Sequence, residues 1–153
     1  MPLVNETNLV NDLNKVYYEE EWWHTKKISE DQASDYHRFM LRNGRIIYCS
    51  DEKGLAGYME TWRVNFEQLG RLICHTEFFP MEEDIESGNI CYLNNIWIRE
   101  DQRHTKIMRL LKVMCMEQNK ECEYFIGQAL RKKCQPVKVF SRKELVNGGQ
   151  NGW

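Results

Sequence analysis

The chain has 153 residues, 29% of them charged, with a net charge of −2, so one domain is expected and a general attraction to nucleic acid is excluded. Hydrophobic residues make up 42% and aromatic residues 12%, which sets the chain to fold around a core rather than stay disordered. No run approaches the roughly 20 apolar residues of a membrane span, and MPLVNETNLVNDL lacks the basic segment and apolar core of a signal peptide, so a cytoplasmic protein is expected.

Residues 5–23 read as an opening helix, with Leu9, Leu13 and Val16 or Tyr17 on one face and Asn5 or Thr7 as candidate caps. The segment ends in the aromatic and acidic cluster YYEEEWWHT. Its plain reading is a helix end that tucks rings against a sheet; its functional reading is a partner surface, because Trp and Tyr are enriched at binding hot spots. His24 reads as a surface residue. Ser29 and Gln32 make a capping box for a second helix that carries Ala33, Tyr36 or His37, Met40 and Leu41 to a stop at Asn43-Gly44. Residues 45–50 and 55–64 then read as two strands joined by the turn Asp51-Glu52-Lys53-Gly54.

Between 65 and 89 the pattern is weakest. Leu72 to Phe79 reads as a strand, and Glu82 to Glu86 as an acidic loop: a solvated loop in the plain reading, a cation-attracting patch in the functional one. His75, beside Cys74 and Glu77, is either a strand histidine or a general base.

The stretch CYLNNIWIRED, 91–101, is apolar on both faces, as expected of a central strand: simple alternation puts Tyr92, Asn94, Ile96 and Ile98 on one side and Leu93, Asn95 and Trp97 on the other. After it, Ile107, Leu110, Leu111 and Met114 recur at helical spacing up to Gln118. A strand that runs through a short turn into a helix aims the first helical N–H groups at that turn, where they form a seat for phosphate or an oxyanion. Asn119 to Glu121 read as a turn, Cys122 to Ala129 as a strand and LRKKCQP as a connector. Val137 to Leu145 reads as a last strand and 147–153 as a flexible tail. The six cysteines are scattered, without C-x-x-C or paired histidine spacing, so neither a disulfide framework nor a zinc site is expected. Cys91 and Cys115 read as small buried hydrophobes.

Residues 91–111, CYLNNIWIREDQRHTKIMRLL, resemble the central strand, pyrophosphate loop and following helix of the GNAT N-acetyltransferase superfamily. There a strand of pattern L-x-x-[IVL]-x-[IV] leads into Gln/Arg-x-x-Gly-x-Gly/Ala. Leu93, Ile96 and Ile98 fit the strand and Arg103 the first loop position, while Lys106 and Met108 occupy the two glycine positions. GLAGYME resembles a motif on the preceding strand of the family, and the helix-helix-strand-strand order agrees with it. The resemblance implies an α/β (α+β) fold with a central twisted sheet flanked by helices, in one domain over 1–146.

It further implies an acyltransferase that uses acetyl-CoA or another acyl-CoA to acylate an amine. The alternative is an inactive binding or assembly module that works through a protein partner on the Trp22 and Trp23 surface. The cofactor-binding candidates are Ile96, Trp97 and Ile98 on the strand and Arg103, His104, Thr105, Lys106, Ile107 and Met108 on the loop and helix start. Lys106 offers a charge to phosphate, and Met108 fills space that a small residue leaves open. A bulge within Leu93 to Trp97 would supply backbone N–H groups to an oxyanion. Asn94 and Asn95 flank it, to hold a carbonyl or to pin an irregular strand. Glu60 on the neighbouring strand is the first candidate base and His75 the second. Roughly seven residues replace the fourth helix of the family, about half a usual helical run, so its tyrosine acid has no counterpart.

Overall fold

Local hydrogen bonds open the first two helices in a computed structural model that describes residues 5–19, 29–74, 88–127, 138–141 and 143–144. Asn5 Oδ1 accepts the backbone N–H of Thr7 at 2.8 Å and of Asn8 at 3.3 Å, which caps α1, Glu6–Glu19. Ser29 and Gln32 form the expected reciprocal box ahead of α2, Glu30–Arg42. The helix stops at Asn43, and Gly44 follows at φ +67°, a left-handed turn that favours glycine. Trp22, Trp23 and His24 lie outside the described residues.

Strand β1, Ile46–Asp51, returns antiparallel through a tight turn into β2, Gly54–Val64, where Gly54 takes φ +104°. The segment after β2 corrects the sequence reading. Phe66–Cys74 is a helix, α3, so the strand expected from Leu72 does not start there. The reason is a second capping box: Gln68 N–H donates to Asn65 Oδ1 at 2.8 Å, and Asn65 N–H to Gln68 Oε1 at 2.8 Å. His75 and the acidic run from Glu82 to Glu86 lie outside the described residues.

Strand β3, Ile90–Ile98, pairs antiparallel with β2 and leads through a short 3-10 turn into α4, Ile107–Gln118. Helix α4 is the crossover that makes β4, Tyr124–Gly127, parallel to β3; β5, Lys138–Ser141, then pairs antiparallel with β4. Both last strands are shorter than their apolar patterns. Cys122 N–H bonds Asn119 O in a turn, and beyond Ser141 the chain is helical at Lys143 and Glu144, where Ser141 and Glu144 cap one another.

The result is a five-stranded mixed sheet in the order β1-β2-β3-β4-β5, with β3 in the middle. One face packs Leu13, Met40, Tyr58, Trp62 and Tyr92 beneath α1 and α2. The other packs Met59, Leu93, Leu111, Cys115 and Phe125 beneath α4. Cys91 and Cys115 are fully buried free thiols, as expected. Among the described residues no helix is long and apolar enough to cross a membrane, and no side-chain group is suited to a metal ion.

Simple alternation fails in the middle of β3. Glu60 pairs with Asn95 but its neighbour Thr61 pairs with Leu93, so Asn94 is an extra, bulged residue. The bulge shifts the phase of every later side chain. Tyr92 and Trp97 therefore share the α1/α2 face, whereas Cys91, Leu93, Ile96 and Ile98 share the α4 face.

Candidate functional site

Strands β3 and β4 pair in parallel from Ile90–Tyr124 to Leu93–Gly127, where the described part of β4 ends. The bulged Asn94 follows directly on the last of these pairs, between the Thr61–Leu93 and Glu60–Asn95 pairs with β2.

On the α1/α2 face of this point sits Glu60, 4% exposed. Its Oε2 accepts from Asn94 Nδ2 at 2.8 Å and its Oε1 from the Tyr36 hydroxyl at 2.5 Å, while Trp62 Nε1 donates to the Tyr36 oxygen at 3.0 Å. Asn95 Nδ2 donates to the Tyr58 hydroxyl at 2.9 Å. The asparagine pair thus pins the irregular strand to β2, one of the two roles open to it from sequence. Burial raises the pKa of Glu60, against the lowering effect of the bonds from Tyr36 and Asn94. Burial, and then the Glu60 charge, push the Tyr36 phenol well above its ordinary value, so it stays a donor.

Helix α2 holds Tyr36 in place through its neighbour. His37 Nδ1 lies 2.6 Å from Asn14 Oδ1, and Asn14 Nδ2 donates to Ser34 Oγ at 2.9 Å, which ties α1 to α2. Burial lowers the His37 pKa to about 4, so the imidazole is neutral at pH 7 and adds no positive charge near Glu60.

The loop from β3 to α4 is anchored from below. Arg99 reaches Asp51 and Asp101 with its guanidinium and donates to Leu55 O at 3.1 Å, and its own N–H bonds Ala56 O at 2.9 Å. Arg103 Nε donates to Ile98 O at 3.3 Å, and Thr105 Oγ1 to Gln102 O at 2.7 Å. Helix α4 then starts with Lys106 in the cap position, no side-chain cap from that residue and no acidic residue in the first turn. Arg103, His104, Thr105, Lys106 and Arg109 are exposed around it, so the helix start is cationic in both its dipole and its side chains. Ile107 and Met108 are half-buried and pack on the α4-side core. Gly57 admits this close approach: a Cβ there would lie 3.1 Å from Ile107 Cγ2 and 3.2 Å from Trp97 O.

The structure thus brings Glu60 and Asn94 into one network and sets Ile96, Trp97 and Ile98 at the end of β3 that leads into the Arg103–Met108 turn. His75 is outside the described residues and takes no part. Sequence reasoning missed Tyr36, Trp62 and Tyr58 as partners of the network; the alternation of β2, Tyr58-x-Glu60-x-Trp62, was the signal that the three share a face. It also missed Lys112, an α4 lysine only 2% exposed that bonds no described residue and whose pKa burial lowers.

No family model and no curated protein matches the sequence. Solved structures do match its fold. The GNAT-like decarboxylase GphF in complex with isobutyryl-CoA matches with a TM-score of 0.54 and 15% identity over 81% of this chain. The loading GNATL domain of CurA from Lyngbya majuscula gives 0.52 and 16% over 83% of the chain. A ribosomal-protein-alanine N-acetyltransferase from Brucella melitensis gives 0.54 and 13% over 97% of this chain and 80% of its own. The chain spans 62% of the GphF chain and 67% of the CurA domain. At such identities the likeness is one of fold. With its mixed five-stranded sheet between helices and its central strand bulged at Asn94, the chain has the GNAT fold.

Proposed function

We propose that this domain binds an acyl-CoA beside β3, beyond its bulge, and transfers the acyl group to an amine. The observation that carries the reading is the coincidence, within Leu93–Asn95, of the β3 bulge and a buried carboxylate held by Asn94. The residues present fit such a ligand. The flank of β3 from Asn95 to Ile98 has the alternating donors and acceptors that pair with an extended amide chain, as in strand addition. The start of α4, with Arg103, Lys106 and Arg109 around it, suits a pyrophosphate. The likeness to a GNAT-like fold in complex with isobutyryl-CoA supports the class of ligand.

A bound acyl-CoA supplies the electrophile, a thioester carbonyl carbon. Backbone N–H groups at the Asn94 bulge are the donors for the carbonyl oxygen. Glu60 is the acceptor for the ammonium proton, and its raised pKa brings it nearer the working pH of a general base. Asn94 and Tyr36 position its two oxygens. Decarboxylation, the activity in the name of the GphF neighbour, is disfavoured here. It acts on a carboxylate-bearing group, and among the described residues Glu60 is a buried acid with only neutral donors, which repels a second carboxylate. A ligand-free assembly module is the second reading; Lys106 and Met108 in place of small loop residues favour it.

Calorimetric titration with acetyl-CoA and isobutyryl-CoA separates the two. Saturable binding, weakened about tenfold by Arg103→Ala, is expected of the acyltransferase. Absence of heat and of thermal stabilisation at roughly millimolar ligand overturns it and leaves the assembly module.

A further inference from the structure

We infer that the outer face of α4 docks on the same face of a second copy of this chain, in an antiparallel pair with two-fold symmetry. The inference goes beyond the acyl-transfer reading and needs no ligand. Lys106, Arg109, Leu110, Val113 and Glu117 are all exposed. With 3.6 residues to a turn they fall on one stripe, opposite the buried Leu111 and Cys115. Leu110 is 49% exposed and Val113 38%, so two neighbouring apolar side chains meet water at the middle of that stripe.

The charges on the stripe run against the helix that bears them. A helix favours acids in its first turn and bases in its last. Helix α4 has neither: Lys106 and Arg109 stand at its positive end and Glu117 at its negative end. Local pairs do not relieve them. Lys106 has Arg103 and Arg109 three residues to either side, like charge beside like charge. Arg109 has Thr105, Lys106, Lys112 and Val113 at the spacings where a helix could supply an acid. Among the described residues no ion pair uses Lys106 or Arg109. Glu117 pairs with Lys120 at 3.5 Å, but both side chains are largely exposed and such a pair contributes little.

A second copy resolves this arrangement, because an antiparallel neighbour presents its negative end to the positive end of the first. With the two-fold axis at Val113, Arg109 lies four residues before it and the partner's Glu117 comes opposite, four residues after. The same contact recurs across the axis. Within one helix Arg109 and Glu117 stand about 12 Å apart along the axis, too far to pair. Between the two charge pairs, Leu110 and Val113 meet their counterparts and leave water. The order basic, apolar, acidic along one stripe is what a two-fold interface demands of a single surface. An acidic partner of another kind answers the basic end but sets its own charge against Glu117. Lys106 and Lys120 stay at the wet ends of the pair, and Arg103 and Lys106 remain free for phosphate. A helix of 12 residues makes a short seam, so the dimer is a weak one.

The test is sedimentation equilibrium of the full chain without CoA, from about 10 to about 500 µM at low salt. A reversible monomer–dimer equilibrium is expected, weakened by added salt. Arg109→Glu and Glu117→Arg are each expected to raise the dissociation constant about tenfold or more, and their combination to return it to within about threefold of wild type. Leu110→Ser, which removes apolar surface and leaves the charges, is expected to weaken the dimer about as much. Arg109→Glu also places an acid in the first turn of α4, so dilute protein keeps or raises its melting temperature and loss of the dimer is not loss of the fold. A chain that stays monomeric over the whole range overturns the inference and leaves the face to another partner. A dimer indifferent to Leu110→Ser and to both charge reversals overturns it too, as does a combined reversal that fails to re-form it or an open-ended association. None of these outcomes depends on acyl-CoA, whose binding is read by its own titration.

Discussion

Asn94, the extra residue of the β3 bulge, donates its side-chain amide to Glu60 Oε2 at 2.8 Å, so the irregularity of one strand is held by the buried acid of the next. The bond joins the bulged part of β3 to the buried carboxylate of β2. Its neighbour Asn95 repeats the arrangement on the Tyr58 hydroxyl at 2.9 Å. Two adjacent side chains thus point to one face, which only a bulge permits.

Removing the amide from Asn94 leaves a buried carboxylate with one donor fewer. Asn94→Ala is expected to lower stability by about 2 kcal/mol, the scale of a hydrogen bond to a charged group. Asn95→Ala, which takes a bond from a neutral phenol, is expected to cost about 1 kcal/mol. Urea denaturation of both variants at neutral pH checks the order; an Asn94 variant less affected than the Asn95 variant contradicts the placement of the charge.

The pH dependence of stability carries a definite sign at Glu60. Its folded pKa is raised above the ordinary 4.5, chiefly by burial, so the folded state holds the proton to higher pH than the unfolded chain. The contribution of Glu60 is therefore fullest below 4.5 and is lost as pH rises through the folded value. Relative to Glu60→Gln, the wild-type protein is expected to lose stability over that window. Denaturation of both proteins between about pH 4 and pH 8 measures the difference; a wild type that gains stability relative to Glu60→Gln as pH rises would show that Glu60 has a cationic partner instead.

Gly57 couples the sheet to the start of α4. A Cβ at this position would press on Ile107 Cγ2 at 3.1 Å and on the backbone oxygen of Trp97 at 3.2 Å. Gly57→Ala is expected to destabilise the fold by about 1–3 kcal/mol, the usual cost of overpacking. By moving the first turn of α4 it is also expected to weaken acyl-CoA binding more than Arg109→Gln does. Calorimetry on the folded fraction tests this; unchanged affinity would place the phosphates away from that turn.

The sequence by itself determined what depends on neighbours within about four residues. The capping box of Ser29 and Gln32, the stop at Asn43-Gly44 and the β1–β2 turn are all local, and all are present. The α4 stripe holds in part: Leu111 is buried and Ile107 and Met114 pack on the core, but Leu110 is exposed while Lys112 and Cys115 are buried. The reciprocal cap of Asn65 and Gln68 was equally local, and its oversight made a helix read as a strand. The resemblance over 91–111 led to the GNAT fold because it covers the strand, turn and helix that position everything else.

Tertiary structure alone decided the site. Tyr36 and Glu60 are 24 residues apart and Asn94 is 34 beyond Glu60, so no spacing in the chain announces that the three share one carboxylate. Nor does alternation reveal where β3 breaks its own phase, since a bulge is set by the register against β2 and not by the residues of one strand. Period and caps are written in short-range hydrogen bonds and apolar spacing. The pairing of strands and the meeting of helix with sheet are settled only when distant segments close, and the chemistry proposed here lies at that closure.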